Sequence, residues 1–124
     1  MITGGCCHDY TNQKKILAEG ISKRANVEWT IVQQGGNKTD SMIPFYENDD
    51  WAKGYDIVVH NECFANAADP AWTARVLRPH REGTPAVVIH CTMHCYRDKT
   101  DEWFKFLGVT SRGHGANYPF EVVN

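Results

Sequence analysis

Four side chains able to bind a metal or exchange protons fall within six residues: His90, Cys91, His94 and Cys95. They follow directly on an apolar run, Ala86-Val-Val-Ile89. Imidazole and thiolate are ligands for cations such as zinc, and imidazole is the acid–base group best matched to neutral pH. A second concentration, Cys6-Cys7-His8-Asp9, follows Met1-Ile-Thr-Gly-Gly5, and a third, His60-Asn-Glu-Cys63, follows Tyr55-Asp-Ile-Val-Val59. His114 lies between Gly113 and Gly115. One buried histidine is more often structural than functional; the density of such groups beyond apolar runs is what marks a candidate site.

Two chemistries fit. In the first, His8, His60, His90 and His94 hold a divalent metal such as zinc, with an open position for water or a sugar oxygen. His8, His90 and His114 are then the candidates for acid–base work. In the second, Cys91 is a nucleophile with a neighbouring histidine as base. A sharp nucleophile elbow needs small neighbours. Cys91 stands between His90 and Thr92, so this chemistry ranks below the first.

The elements that must position these groups follow from the pattern. A continuous Val/Ile run reads as a strand buried on both faces, as in a parallel sheet covered by helices. Strands are expected over residues 1–3, 27–32, 55–60 and 86–89. Thr11 is expected to cap a helix running to about Lys23, with Ile16, Leu17, Gly20 and Ile21 toward the sheet. Asp69 and Pro70 open a second helix, which Pro79 should kink or stop. Thr100 is expected to cap a third, which Gly108 ends. The polar connection over 33–50 carries Pro44-Phe-Tyr46, an aromatic surface that either walls a sugar or pins the loop. In an open parallel sheet the ligand crevice lies beyond the carboxyl ends of the strands. His8, His60 and His90 should therefore share one edge.

The 124 residues fit a single domain over 1–124. The net charge of -2, with no Lys/Arg run, gives no footprint for nucleic acid or an anionic membrane. No apolar stretch approaches the roughly 20 residues of a membrane-spanning helix. The five cysteines are odd in number and form no paired C-x-x-C knuckles, which fits reduced thiols and a cytoplasmic setting. Neither G-x-G-x-x-G nor P-loop spacing is present, so no nucleotide or flavin is expected. The short first strand and the strand-like start over 118–123 read as trimmed edges of a longer domain. Edges of that kind would allow a homo-oligomer.

Thr3-Gly-Gly with His8-Asp9-Tyr10, the strand ending in His90, Trp103 with Leu107-Gly108, and His114 together resemble the ThuA-like (trehalose utilisation) domain family. The resemblance covers essentially the whole chain. It implies a fold similar to the class I glutamine amidotransferases: a flavodoxin-like three-layer α/β sandwich with a mostly parallel central sheet. It implies a role in carbohydrate catabolism, with a small-molecule partner such as trehalose, a related disaccharide or a 3-keto derivative. The family pattern falls on His8, His90 and His114. The Gly-x-Cys-x-Gly elbow and downstream His-x-Glu pair of the amidotransferases are absent, which argues against glutaminase activity. Two alternatives stand beside the carbohydrate enzyme: a hydrolase using Cys91, and a non-catalytic sugar-binding module.

Overall fold

A computed structural model describes residues 1–116, 118–119 and 121–123. Four strands, β1 (Ile2–Gly5), β2 (Val32–Gln33), β3 (Val58–Cys63) and β4 (Ala86–Val88), form one sheet in the order β2-β1-β3-β4. Every pairing is parallel. Helices α1 (Tyr10–Ser22), α2 (Pro70–Arg81) and α3 (Glu102–Leu107) connect and cover it. The result is the expected flavodoxin-like three-layer α/β arrangement, in a small form.

The register explains the layers. Ile2 pairs with His60 and His60 with Val88, so these three share one face. That face carries the main core, where Tyr46, Phe64, Val76, Leu77, Tyr96 and Trp103 are fully buried. Each large apolar side chain removed from water there contributes about 2–3 kcal/mol. On the other face Thr3 pairs with Asn61, and α1 lies across them. This second layer is thin. Tyr10 is the only buried residue of α1, and Ile16 is 69% exposed instead of facing the sheet. Val87 of β4 is 44% exposed, so the run over 86–89 is covered on one face only. The reason is that α1 packs against β1 and leaves the β4 side of that face open.

Several boundaries differ from the pattern. Strand β2 is two residues, not six. Met1 N bonds Thr30 O and Val32 N bonds Met1 O, and regular pairing starts only at Val32. Strand β3 is displaced three residues downstream, because pairing with β1 runs from His60 to Cys63 while Tyr55, Asp56 and Ile57 stay exposed. Asp9, not Thr11, caps α1: its carboxylate accepts from the Asn12 backbone and side-chain amides. Asp69 and Pro70 open α2 as expected, but the helix continues through Pro79 to Arg81. Proline deprives the carbonyl four residues earlier of its donor, and the Trp51 indole supplies one to Arg75 O at 3.4 Å. The α3 cap position belongs to Asp101, with φ 57° and no side-chain capping bond; Thr100 Oγ1 only reaches Glu102 N at 3.4 Å. Gly108, at φ 72°, ends α3 as expected. Residues 118, 119 and 121–123 form no strand; Phe120, part of that expected element, lies outside the described residues.

The 33–50 connection is pinned by packing. Its 3₁₀ helix Pro44–Glu47 buries Tyr46 completely, and Phe45 and Tyr46 meet Trp51 edge-on. Tyr46 is thus part of the core, not a wall for a sugar.

Candidate functional site

The chain leaves β1 toward β2 on one side and leaves β3 toward β4 on the other. The carboxyl ends of β1 and β3 therefore flank the point where an open α/β sheet places its ligand crevice. Gly4 and Gly5 let the backbones close there. A Cβ on Gly4 would lie 2.0 Å from Gln34 O, and one on Gly5 would lie 2.3 Å from Cys63 O. Their φ angles of 140° and 97° also favour glycine. Cys6 N then donates to Cys63 O at 3.3 Å, which seats the Cys6-Cys7-His8 turn on the end of β3.

The third contribution comes from the 3₁₀ helix His90–His94, which follows β4. Thr92 fixes it: its Oγ1 accepts from Glu62 N at 2.9 Å and donates to Glu62 O at 2.8 Å, and its carbonyl accepts from the Trp103 indole. With Thr92 buried against β3, His90 and Cys91 project toward His8. His90 has φ 45° and Cys7 φ 80°, left-handed conformations that cost of order 1–3 kcal/mol for non-glycine residues and cluster at functional sites.

His8, His90 and Cys91 each offer one ligand atom, and these atoms lie within 4.8 Å of one another. Such a group can hold a metal ion. The His8 and His90 ring centroids are 4.9 Å apart. His114 stacks on His90 at 5.5 Å and meets His94 edge-on at 4.7 Å. His94 Nδ1 lies 2.8 Å from Ser111 O and so carries a hydrogen; its buried Nε2 has no partner among the described residues. The expected residues His8, His90, Cys91, His94 and His114 are thus neighbours.

His60 is not among them. The displaced register puts it in the middle of β3, fully buried, on the opposite face. Its Nδ1 is 2.8 Å from Glu62 Oε1 and its Nε2 is 2.9 Å from His80 Nε2. His80 Nδ1 faces the Thr84 carbonyl at 2.8 Å and carries a hydrogen, so a neutral His80 accepts at Nε2 and His60 donates. Burial lowers the His80 pKa, which favours that neutral form. Both His60 nitrogens are engaged within the core, on the face away from His8 and His90, so the expected role as a metal ligand fails.

Cys63 was expected near this edge among the possible ligands, and Cys6 and Cys7 had no assigned role; all three lie at the centre. Cys63 Sγ is 3.2 Å from Cys91 Sγ and 3.8 Å from Cys6 Sγ. Cys6 and Cys7 are joined by a disulfide, against the expectation of five reduced thiols. Hydrogen bonding from Cys95 is the main cause bringing the Cys63 pKa down to about 6, with Cys91 adding to it and burial opposing. Burial pushes the Cys91 thiol up to about 12. The available signal was Cys63 lying directly beyond an apolar run; the pairing was not visible, because it joins residues 57 and 28 positions apart.

Beside His8 a polar cleft of about 520 Å³ opens between the ends of β1 and β2. Asp9, Thr11, Lys14, Gln33, Gln34 and Asn37 line it. A smaller recess of about 210 Å³ runs under α1 between Tyr10, Asn61, His90 and Cys91. An apolar groove of about 350 Å³ at the amino-terminal edge, among Trp29, Tyr55, Ile57 and Val87, contains no histidine or cysteine. No helix is long and apolar enough to cross a membrane among the described residues. No family model matches the chain, and neither a curated protein nor a solved structure is significantly similar to it.

Proposed function

We propose that the chain is a carbohydrate-processing enzyme in which His8, His90 and Cys91 hold a divalent metal such as zinc and the polar cleft takes the sugar. The observation that carries this reading is the position of His8, which belongs to the metal-competent group and lines the cleft. Amide, hydroxyl, carboxylate and ammonium side chains around the cleft suit a ligand covered in hydroxyls. The likeness to ThuA-like domains adds a substrate class: trehalose, a related disaccharide or a keto-sugar.

Two histidines and one thiolate leave a tetrahedral ion one open position. When bound, the metal would polarise a sugar oxygen or acidify a water. A coordinating thiol is deprotonated outright, which meets the cost of ionising buried Cys91. His94, with Nδ1–H fixed by Ser111 O, keeps Nε2 as a proton acceptor beside His114. These two histidines are the acid–base pair of the reading. A hydrolase using Cys91 as nucleophile is less well supported, because the thiol is buried and hard to ionise without a metal.

Elemental analysis of protein prepared without chelator, with His8→Ala and His90→Ala assayed on disaccharides and keto-sugars, tests the proposal. We expect about one zinc per chain, lost with either substitution together with turnover. A metal-free protein whose two variants turn over sugars as the parent does would end this reading.

A further inference from the structure

Four of the five cysteines form a line from surface to interior. Cys7 is exposed and Cys6 half-buried, while Cys63 and Cys91 are 3% and 7% exposed. The Cys6–Cys7 bond is followed by sulfur contacts of 3.8 Å to Cys63 and 3.2 Å to Cys91. The thiols come from three separate segments: the turn after β1, the end of β3 and the 3₁₀ helix after β4. The close approach at Gly5 and the Thr92 bonds bring them together. Cys95, the fifth, is fully buried; its sulfur accepts from Phe64 N at 3.1 Å and lies 3.3 Å from Glu62 O.

We propose that this line is a thiol–disulfide exchange relay, which moves a disulfide from the surface pair Cys6–Cys7 to the buried pair Cys63–Cys91. Exchange proceeds by attack of a thiolate on a disulfide sulfur. In the first step Cys63 Sγ bonds to Cys6 Sγ. The Cys6–Cys7 bond breaks with its electron pair on Cys7 Sγ, which takes up the proton that Cys63 released. In the second step Cys91 Sγ bonds to Cys63 Sγ, and Cys6 Sγ leaves with the electron pair and takes the Cys91 proton. The chain ends with one disulfide, as it began, and no outside oxidant is consumed. Exposed Cys7 is the point where a small thiol or dithiol can remove the oxidising equivalents and a small disulfide can add them. A Cys91 held in a disulfide cannot ligate a metal, so the relay would also switch the proposed metal centre off; that consequence alone rests on the preceding reading.

The test uses the metal-free full chain, reduced and then exposed to graded oxidised dithiothreitol. Samples are acid-quenched, alkylated, digested and mapped by mass spectrometry. In the parent we expect Cys6–Cys7 to form first and Cys63–Cys91 to grow from it. In Cys91→Ser, exchange stops at Cys6–Cys63 with Cys7 free to alkylate. In Cys7→Ser, altered only at an exposed position, Cys63 enters a disulfide with Cys6 or Cys91 and its alkylation slows by at least about tenfold. The proposal is overturned if Cys6–Cys7 is the sole disulfide in the parent and Cys63 alkylates freely in Cys7→Ser. A Cys63–Cys95 disulfide in place of Cys63–Cys91 overturns it too. Because no metal is present, a protein that binds zinc yet keeps Cys63 free would retain the metal reading and lose only the relay.

Discussion

Two groups of histidines lie on opposite sides of β3 and behave differently. His60 and His80 sit in a closed network in which every imidazole nitrogen meets a named partner. Around them Tyr46 and Tyr96 both donate to Glu62 Oε1, at 2.8 and 3.1 Å. At the carboxyl edge, His8, His90, His94 and His114 are held mainly ring against ring. The first group uses its lone pairs to hold a fold together. The second keeps lone pairs that a metal or a substrate proton can use. The residue types are the same; the partners decide the role.

The sharpest way to break this contrast is Glu62→Ala. It strips the shared acceptor from Tyr46, Tyr96 and His60, all buried, and should cost about 3–5 kcal/mol of unfolding free energy by urea denaturation. A midpoint equal to the parent's would mean the closed network is not structural. His8→Ala tests the other side: zinc affinity, measured against a competing chelator, should fall by at least about 100-fold, with stability changed by less than about 0.5 kcal/mol. Asp9→Ala, at the turn that carries His8, should lose the α1 cap and about 1 kcal/mol, readable as a lower melting temperature.

Two pH effects complete the comparison. The lowered Cys63 pKa predicts that the metal-free protein with its Cys6–Cys7 disulfide intact shows one thiolate by ultraviolet absorbance with a midpoint near pH about 6; no thiolate below pH about 8 would contradict it. The His80 pKa is lowered from 6.5, chiefly by burial. The unfolded chain therefore binds that proton first, and stability rises with pH through this window. The His80 contribution should be fully present above pH 6.5 and shrink below it, as denaturation across pH will read; His80→Gln, which keeps a polar side chain without the titration, should flatten that slope.

Much of the scaffold was legible because its signals are local. The Asp69-Pro70 start of α2, the Gly108 stop and the alternation of apolar runs with amphipathic segments each depend on residues a few positions apart. So did the crowding of His90, Cys91 and His94 after β4. The errors fell where pairing partners decide. Asn61-Glu-Cys63 was expected to follow the strand over 55–60, yet these residues are strand, since Thr3, Gly4 and Gly5 supply their ladder partners. Pro79 looked like a stop, and Trp51 satisfied the carbonyl it freed.

By itself, then, the chain of side chains determined a parallel α/β domain and a reactive carboxyl edge. Tertiary structure decided which reactive groups reach that edge. Successive side chains on a strand point to opposite faces, so pairing β3 with β1 from His60 to Cys63 buries His60 and Glu62 on the core face and turns Cys63 toward Cys91. Register belongs to two strands at once, and neither strand's sequence carries it alone.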